Sequence, residues 1–193
     1  MRRWGWVLLA LALVSTAIFG CSPSSDTGPP PVEEVKPTDP DNLMLFLARA
    51  YREEDPDDYD QALDESFLFQ FTPDIADELG LPELEPWWGK TEDLGSTRGM
   101  FDEPTVTAIT FTYETVGEWI PHIEVRKDTT FSGVFRRYDP LIEVITVTDN
   151  PEDPELRYRV DGSWLDIIAV PDRFTEGNWT ILKIQEVEKN PTS

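Results

Sequence analysis

Residues 104–114, which read PTVTAITFTYE, decide the fold because the spacing of apolar residues changes here from helical to strand-like. Ile109, Phe111 and Tyr113 alternate with polar residues, which is the period-two pattern of a half-buried strand. The same reasoning predicts further strands downstream, at about 119–126, 131–148, 156–170 and 178–188.

Two places in this region depart from a regular strand pattern. Val106 and Ala108 lie on the opposite parity to Ile109, which indicates a bulge or a strand that is buried on both faces. Asp161 and Gly162 form either a tight hairpin turn or a bulge, and the residues alone do not decide between them.

The pattern upstream of residue 104 is helical. Asp39 followed by Pro40 predicts a helix start, because Asp caps helices well and Pro suits the first helical position. Asp55 and Pro56 repeat the signal, so two helices are predicted to pack as a hairpin. The inner face of the first helix is apolar at helical spacing and comprises Leu43, Phe46, Leu47, Ala50 and Tyr51.

A short aromatic run and a third helix complete the upstream part. The run Phe67–Phe71 predicts a strand, and residues 72–86 are expected to be irregular because they carry three prolines. The third helix is predicted to be capped by Thr91, with Glu92 and Asp93 in its first turn, where acidic side chains suit the helix dipole.

Helices first and strands later predict an α+β domain with its helices packed on one face of an antiparallel sheet. This organisation resembles the nuclear transport factor 2-like (NTF2-like) superfamily, also called the cone-shaped or SnoaL-like fold. The features that carry the resemblance are the opening helix pair, the Phe67–Phe71 strand, the Trp88–Phe101 helix and the closing strand Asn178–Ile181. It covers about residues 39–189.

The resemblance implies a strongly curved sheet that wraps the helices and leaves a pocket between them. Some members of the superfamily are enzymes, among them steroid isomerases, polyketide cyclases and dehydratases. Many others only bind ligands or proteins. The resemblance therefore implies a fold and a place for a site, and it leaves the activity open.

The first residues read as an export signal. Arg2 and Arg3 precede an apolar run, Trp6–Phe19, that is short for a membrane-spanning helix. The run ends at Ile18-Phe19-Gly20-Cys21, which resembles the lipobox of bacterial lipoproteins and holds the one cysteine of the chain. The resemblance implies a lipid on Cys21 and cleavage before it. The alternative is a free thiol after an ordinary signal peptide or anchor helix.

Four segments are therefore predicted: a lipoprotein signal peptide at 1–20, a lipidated flexible tether at 21–38, an NTF2-like domain at 39–189 and a tail at 190–193. Proline, serine and charge dominate the tether, so little of it can be buried. The domain is expected outside the cytoplasm, lipid-anchored to a membrane of the bacterial cell envelope. Ser22 stands where an aspartate resembles an inner-membrane retention signal, which favours the outer membrane in a cell that has one.

The charge of the chain restricts its partners. Against 16 basic residues stand 38 acidic ones, so the formal net charge is −22. Such a surface repels nucleic acid and anionic lipid head groups, and neither is predicted as a partner. It could attract cations or basic proteins, although a merely solvated surface explains it as well.

His122 is the candidate for acid–base chemistry, because it is the one histidine and imidazole serves as a general base when a carboxylate orients it. Dehydratase-like members of the superfamily pair histidine with aspartate, and Asp102 or Asp166 could imitate that pair. An ordinary sheet histidine is the alternative. The steroid-isomerase trio of a carboxylate base, a tyrosine and a protonated acid has no local motif here.

Metal and phosphate sites are not predicted, and neither is any cofactor. The acidic runs at 55–60 and 149–155 lack the glycine and terminal glutamate of a calcium loop, and they suit a helix start and a solvated turn. Gly95 and Gly99 fall inside a helical pattern, where glycine indicates close packing rather than a phosphate-binding loop.

Tryptophans supply the candidates for a ligand pocket, since an apolar concavity with few polar groups is the usual binding site of such folds. Core packing is the alternative for each of them. The favoured hypothesis is an envelope lipoprotein that binds a small apolar ligand or a protein partner without catalysis. The alternatives are a SnoaL-like isomerase, dehydratase or cyclase that uses a pocket histidine or carboxylate, and a module for homodimerisation or assembly. The pocket candidates are Trp88, Trp119, Trp164 and Trp179.

Overall fold

The computed structural model describes residues 35–83, 85–148 and 154–189. The predicted signal peptide, Cys21, nearly all of the tether and the tail lie outside these residues. Among the described residues no helix is long and apolar enough to cross a membrane.

The helices are α1 (Pro40–Glu53), α2 (Pro56–Ala62), α3 (Pro73–Glu78) and α4 (Lys90–Phe101). The strands are β1 (Leu63–Gln70), β2 (Trp87–Gly89), β3 (Val106–Arg126), β4 (Thr129–Val147), β5 (Glu155–Val160), β6 (Ser163–Pro171) and β7 (Trp179–Glu188).

Both predicted helix starts are confirmed by their caps. The Asp39 carboxylate accepts a hydrogen bond from the backbone N–H of Asn42 at 2.8 Å. That of Asp55 accepts from the N–H groups of Asp57 and Asp58 at 2.9 and 3.0 Å. In each case the carboxylate satisfies N–H groups that have no partner inside the helix, which is why these local signals are reliable.

The other two helices differ from expectation. The segment predicted to be irregular contains α3, whose first residue is Pro73. In α4 the predicted cap at Thr91 is wrong, because the cap position is occupied by Gly89, two residues earlier, and the helix begins at Lys90. The Glu92 carboxylate reaches back to accept from the Gly89 N–H at 3.1 Å, and this contact sets the helix start.

The strands form one sheet in the order β2-β1-β7-β6-β4-β3, and β5 pairs with β4 beside β6. All pairs are antiparallel except β1 with β7, which run parallel. The sheet is therefore mixed, because the rest of the domain connects β1 to β7 and a connection of that length permits parallel pairing. The α+β class, with the N-terminal helices packed on a strongly curled sheet, is confirmed.

The irregular positions of the sheet resolve the alternatives left by the sequence. The register between β3 and β4 shifts between Val106 and Ala108, so a bulge is present there. The segments β5 and β6 both pair antiparallel with β4 and follow one another along its edge. Asp161 and Gly162 therefore interrupt a strand in the manner of a bulge, and they do not form a hairpin turn.

The sheet separates two apolar clusters. The main core lies between the helices and the concave face and includes Leu43, Leu47, Phe67, Ile167 and Ile181, none more than 2 % exposed. Alternate strand residues face the other way, so a smaller cluster forms on the outer face. Its members are Phe131, Phe135, Ile168, Val170 and Leu182.

Arg126, near the tip of the β3–β4 hairpin, stabilises the curvature of the sheet by linking the hairpin to β1 and β7. Its guanidinium donates to the carbonyl of Ser66 on β1 and, at 3.2 Å, to that of Leu182 on β7. Both carbonyls lie where the strand register shifts, so a side chain supplies hydrogen bonds that the ladder does not.

Gly133 on β4 permits a close approach of β6. A Cβ atom at this position would lie 2.1 Å from the carbonyl oxygen of Ala169 and 2.7 Å from Val170. By contrast, a Cβ atom on Gly95 or Gly99 of α4 would have no neighbour within 4 Å, so the prediction that these glycines mark close packing is wrong.

The Gly133→Ala variant is expected to unfold more easily, by about 1–3 kcal/mol, because backbone atoms must move to admit the methyl group. Gly99→Ala is the matched control and is expected to gain up to about 1 kcal/mol, since alanine favours an exposed helical position. Urea unfolding of the full chain measures both. Equal stability of Gly133→Ala and the parent chain would contradict the close approach.

Candidate functional site

The interior of the cone is filled by a continuous row of six aromatic side chains, called here the aromatic row. Neighbouring ring centroids lie 5.3–5.8 Å apart, within the range of favourable ring contacts. The row runs from α4 across α1 and the concave face of the sheet to the bulged part of β3. Its members, in order, are Phe101, Tyr51, Phe111, Tyr113, Tyr138 and Trp119.

Tyr138 is the unusual member of the row. Its side chain is fully buried, and within the described part of the chain no hydrogen bond of ordinary geometry reaches its hydroxyl, although the Arg136 guanidinium lies close enough to lower its pKa. Burial raises the pKa of this hydroxyl, so it stays protonated and remains a hydrogen-bond donor. A buried hydroxyl without a partner costs about 1–3 kcal/mol, so its position calls for an explanation.

The Trp119 end of the row is closed by contacts to the start of α1. The Asp41 carboxylate accepts hydrogen bonds from the Trp119 indole N–H at 2.9 Å and from Arg136 at 2.8 Å. Arg136 also donates to the carbonyl of Gly117 at 2.8 Å, and its guanidinium lies over the Trp119 ring. These contacts hold Trp119 in place over Tyr138.

The α4 end of the row holds a buried carboxyl group. Asp93 is 6 % exposed and accepts a hydrogen bond of 2.7 Å from the Tyr59 hydroxyl on α2. Burial raises its pKa from 3.8 to about 6, and the hydrogen bond from Tyr59 only partly opposes this. Burial likewise raises the pKa of Tyr51, beside it on α1, to about 12. Asp93 therefore changes charge near neutral pH.

Sequence reasoning missed Asp93 as a site residue. The sequence places Asp93 in the first turn of its helix, as the structure does, and acidic residues in a first turn are common and usually exposed. What sets it apart is its burial against α1 and α2, and this depends on how three helices pack. The alternating pattern around Phe111 did predict that Phe111 and Tyr113 face the interior.

The Asp93→Asn variant is expected to flatten the pH dependence of stability. Between pH 3.8 and 6 the folded state binds the Asp93 proton more tightly than the unfolded state, so stability is highest below this window. The contribution of Asp93 to the free energy of unfolding, about 3 kcal/mol, is lost as the pH rises to about 6. Urea unfolding at pH 4, 5, 6 and 7 measures the difference between parent and variant. A difference that stays constant over this range would contradict the assignment.

A second concave feature lies apart from the row, where the β6–β7 loop meets the junction of α2 and β1. It is a shallow depression of about 270 Å³, and four of its twelve lining residues are acidic. Its charges are already paired: Lys90 contacts Asp60 at 2.8 Å and Glu65 at 3.0 Å, and Arg173 contacts Asp64 at 2.8 Å. The depression is thus a network of ion pairs rather than an unmet charge.

The four candidate tryptophans are not brought together. Trp119 belongs to the aromatic row, and Trp179 packs against the main core from the start of β7. Trp88 contacts Phe71 edge to face, and Trp164 lies under the guanidinium of Arg137. A common pocket lined by all four is therefore not what the structure describes. A role of these tryptophans in ligand binding stays a prediction. Trp119 is the one of the four that belongs to the aromatic row.

His122 lies on the opposite face of the sheet from the aromatic row. Its ring packs 6.2 Å from that of Phe135, and its Nε2 is 3.3 Å from the Glu124 carboxylate. The suggested pairs with Asp102 or Asp166 are wrong. Asp166 accepts two hydrogen bonds from Arg137, and Asp102 ends α4. The side chain of His122 is one-third exposed, so the interior chemistry does not include it.

The acidic runs fall into two cases. Asp55, Asp57 and Asp58 form the start of α2, as expected for acids near a helix N-terminus. The core of the second run, residues 149–153, lies outside the described residues. Within the described segments no group of three histidine, cysteine, aspartate or glutamate side chains is placed to hold a metal ion.

Comparison with known proteins yields no family model and no curated protein that matches the chain. Solved structures do match. A conserved protein from Planctomyces limnophilus has a TM-score of 0.48 at 12% identity, over 77% of this chain and 94% of its own. An NTF2-like superfamily protein from Salmonella enterica has a TM-score of 0.46 at 10% identity, over 78% and 89%. A putative dehydratase from the NTF2-like family from Streptomyces avermitilis has 0.46 at 11%, over 76% and 92%. These scores are below 0.5, so the architecture rests on the geometry described above.

Proposed function

We propose that this chain is a lipid-anchored protein of the bacterial envelope whose domain binds a small apolar ligand in the interior that the aromatic row fills, without catalysing a reaction. The observation that carries the proposal is the Tyr138 hydroxyl, which is buried among aromatic rings without a hydrogen bond of ordinary geometry. An apolar interior with a few polar groups aimed into it is the general pattern of a small-molecule site.

The surroundings of Tyr138 define the chemistry of the ligand. Tyr113 and Trp119 lie at 5.3 and 5.8 Å from its ring, so a flat, aromatic or polycyclic molecule matches the interior best. Because the hydroxyl stays protonated, it would donate to one acceptor oxygen or nitrogen on the ligand. The ligand would replace ring contacts that fill the interior in its absence.

The Tyr138→Phe variant separates a binding role from a structural one. Removing an unpartnered hydroxyl is expected to leave the free energy of unfolding unchanged or to raise it by about 1 kcal/mol. The same change is expected to lower retention of the ligand. Native mass spectrometry of the full chain purified from cells measures retention, and urea unfolding measures stability.

Tyr158→Phe is the matched control, because Tyr158 lies on β5 outside the aromatic row. It is expected to retain the ligand as the parent chain does. An empty parent chain, or a Tyr138→Phe variant that retains the ligand fully, would contradict the proposal.

An enzyme of the isomerase or dehydratase type is the second candidate, and Asp93 favours it. A buried carboxyl with a pKa of about 6 beside two tyrosines has the proton affinity of a general base. This hypothesis moves the base from His122 to Asp93. It requires that the retained molecule be converted on incubation, as seen by chromatography, and that Asp93→Asn abolish conversion without abolishing retention.

A dimer is the third candidate. Ile123 and Val125, which share one face of β3, are each 66% exposed, as an interface between copies would require. The native mass spectra also measure this, because a dimer doubles the mass of the intact species. A monomer at high concentration would remove the hypothesis.

The membrane anchor rests on the lipobox at Ile18–Cys21, and it has its own test. Cys21→Ser is expected to move the protein from the detergent phase to the aqueous phase of a Triton X-114 extract of cells, because it removes the nucleophile that takes the lipid. Ser22→Ala is the matched control and should stay in the detergent phase. Equal partitioning of Cys21→Ser and the parent chain would contradict lipidation.

A further inference from the structure

Helix α4 makes a more polar contact with the rest of the domain than α1 does, although Leu94 and Met100 also pack partly buried against the main core. Its three buried residues are Asp93, Thr97 and Phe101, and the first two are polar. In α1, by contrast, all five buried residues are apolar. Gly95 and Gly99 on the exposed side weaken α4 further, since glycine costs a helix about 1 kcal/mol relative to alanine. Phe101 is the last residue of α4, so displacement of the helix would withdraw Phe101 and uncover Tyr51, its neighbour in the aromatic row.

Asp93 is the polar centre of this contact. The Tyr59 hydroxyl on α2 donates to it, and Tyr51 faces it from α1. Of the strands that pack against α4, β2 has no titratable residue and β1 contributes two, Asp64 and Glu65. Their carboxylates are engaged by Arg173 and Lys90.

No cation balances the Asp93 charge within the described part of the chain. Lys90 is on α4 itself, but its ammonium group is held by Asp60, Glu65 and the carbonyl of Leu63. An ionised Asp93 therefore keeps one hydrogen bond and no counter-ion, and a carboxylate buried in this way is costly unless water reaches it.

We propose that α4 is a pH-sensitive cover of the interior, and that ionisation of Asp93 loosens the helix from α1 and α2 and opens the Phe101 end of the aromatic row. The other end is closed by the two hydrogen bonds of Asp41 to Trp119 and Arg136, which makes the α4 side the easier route inward. This pH-dependent opening goes beyond the proposed ligand binding, because it occurs in the protein without a ligand.

Linkage gives the size of the effect. In the open state Asp93 is solvated and titrates at its ordinary pKa of 3.8, whereas burial raises the pKa to about 6 in the closed state. Each pH unit between these values then favours opening by up to tenfold. From pH 4.5 to 7.5 the opening equilibrium of α4 is expected to rise by roughly 30-fold.

Hydrogen–deuterium exchange of the full chain, followed by mass spectrometry at pH 4.5 and 7.5, tests the proposal. After correction for the intrinsic pH dependence of exchange, protection of residues 90–101 is expected to fall by roughly 30-fold and to stay below that of β6 and β7 at both pH values, because α4 opens without global unfolding. Asp93→Asn, which is neutral at both pH values, should abolish this fall. Asp102→Asn, at the exposed end of the same helix, is the matched control and should keep it.

A second variant guards against an effect of Asp93→Asn on folding. Gly95→Ala combined with Gly99→Ala should raise the protection of α4 at both pH values and leave the pH-dependent ratio unchanged. Three results would overturn the proposal: no pH-dependent loss in α4, protection of α4 equal to that of β6 and β7 at both pH values, or the same loss in Asp93→Asn. None of them bears on whether the purified chain retains a ligand, so the two proposals fail separately.

Discussion

Contact between aromatic rings inside a curled sheet is the constraint on which this structure depends. The rings can meet only if the sheet bends around them, and the bend requires Gly133, where a side chain would strike the backbone of β6. Arg126 then stabilises the bend by donating hydrogen bonds to two carbonyl groups that lie at the irregular positions of β1 and β7. The packing of the interior and the curvature of the sheet therefore depend on each other. A change in the volume of the rings must be matched by a change in curvature, because the interior is closely packed.

The polar groups of the interior follow from this packing. Rings supply large apolar area but few hydrogen bonds, so a hydroxyl or carboxyl placed among them has little choice of partner. Tyr138 has none in the described structure, and Asp93 depends on Tyr59. The few cations of this acidic chain serve elsewhere, on carboxylates and carbonyls at the margins of the core. Arg136, which reaches from β4 to Asp41 at the start of α1, and Arg137, which binds Asp166 on the outer face, are examples.

Local signals predicted much of the fold. The caps at Asp39 and Asp55 act within one helical turn, and the alternation around Phe111 reports a strand with one buried face. What the sequence could not reveal depends on distant contacts. The parallel partner of β1 is more than 100 residues away, and the burial of Asp93 arises only when three helices meet. Trp119 was predicted as a candidate for the interior, but Tyr138, the residue that defines the interior chemically, carries no local mark.

The place of β7 in the sheet has a consequence for the synthesis of the chain. This last strand, which ends at Glu188, lies between β1 and β6 and joins the two halves of the sheet. Until it emerges from the ribosome, β1 has no neighbour toward the rest of the sheet and the core stays open. Contacts of such long sequence separation form slowly. A nascent chain therefore keeps its core open until β7 has been made, so the earlier strands and helices wait for one late segment before the sheet can close.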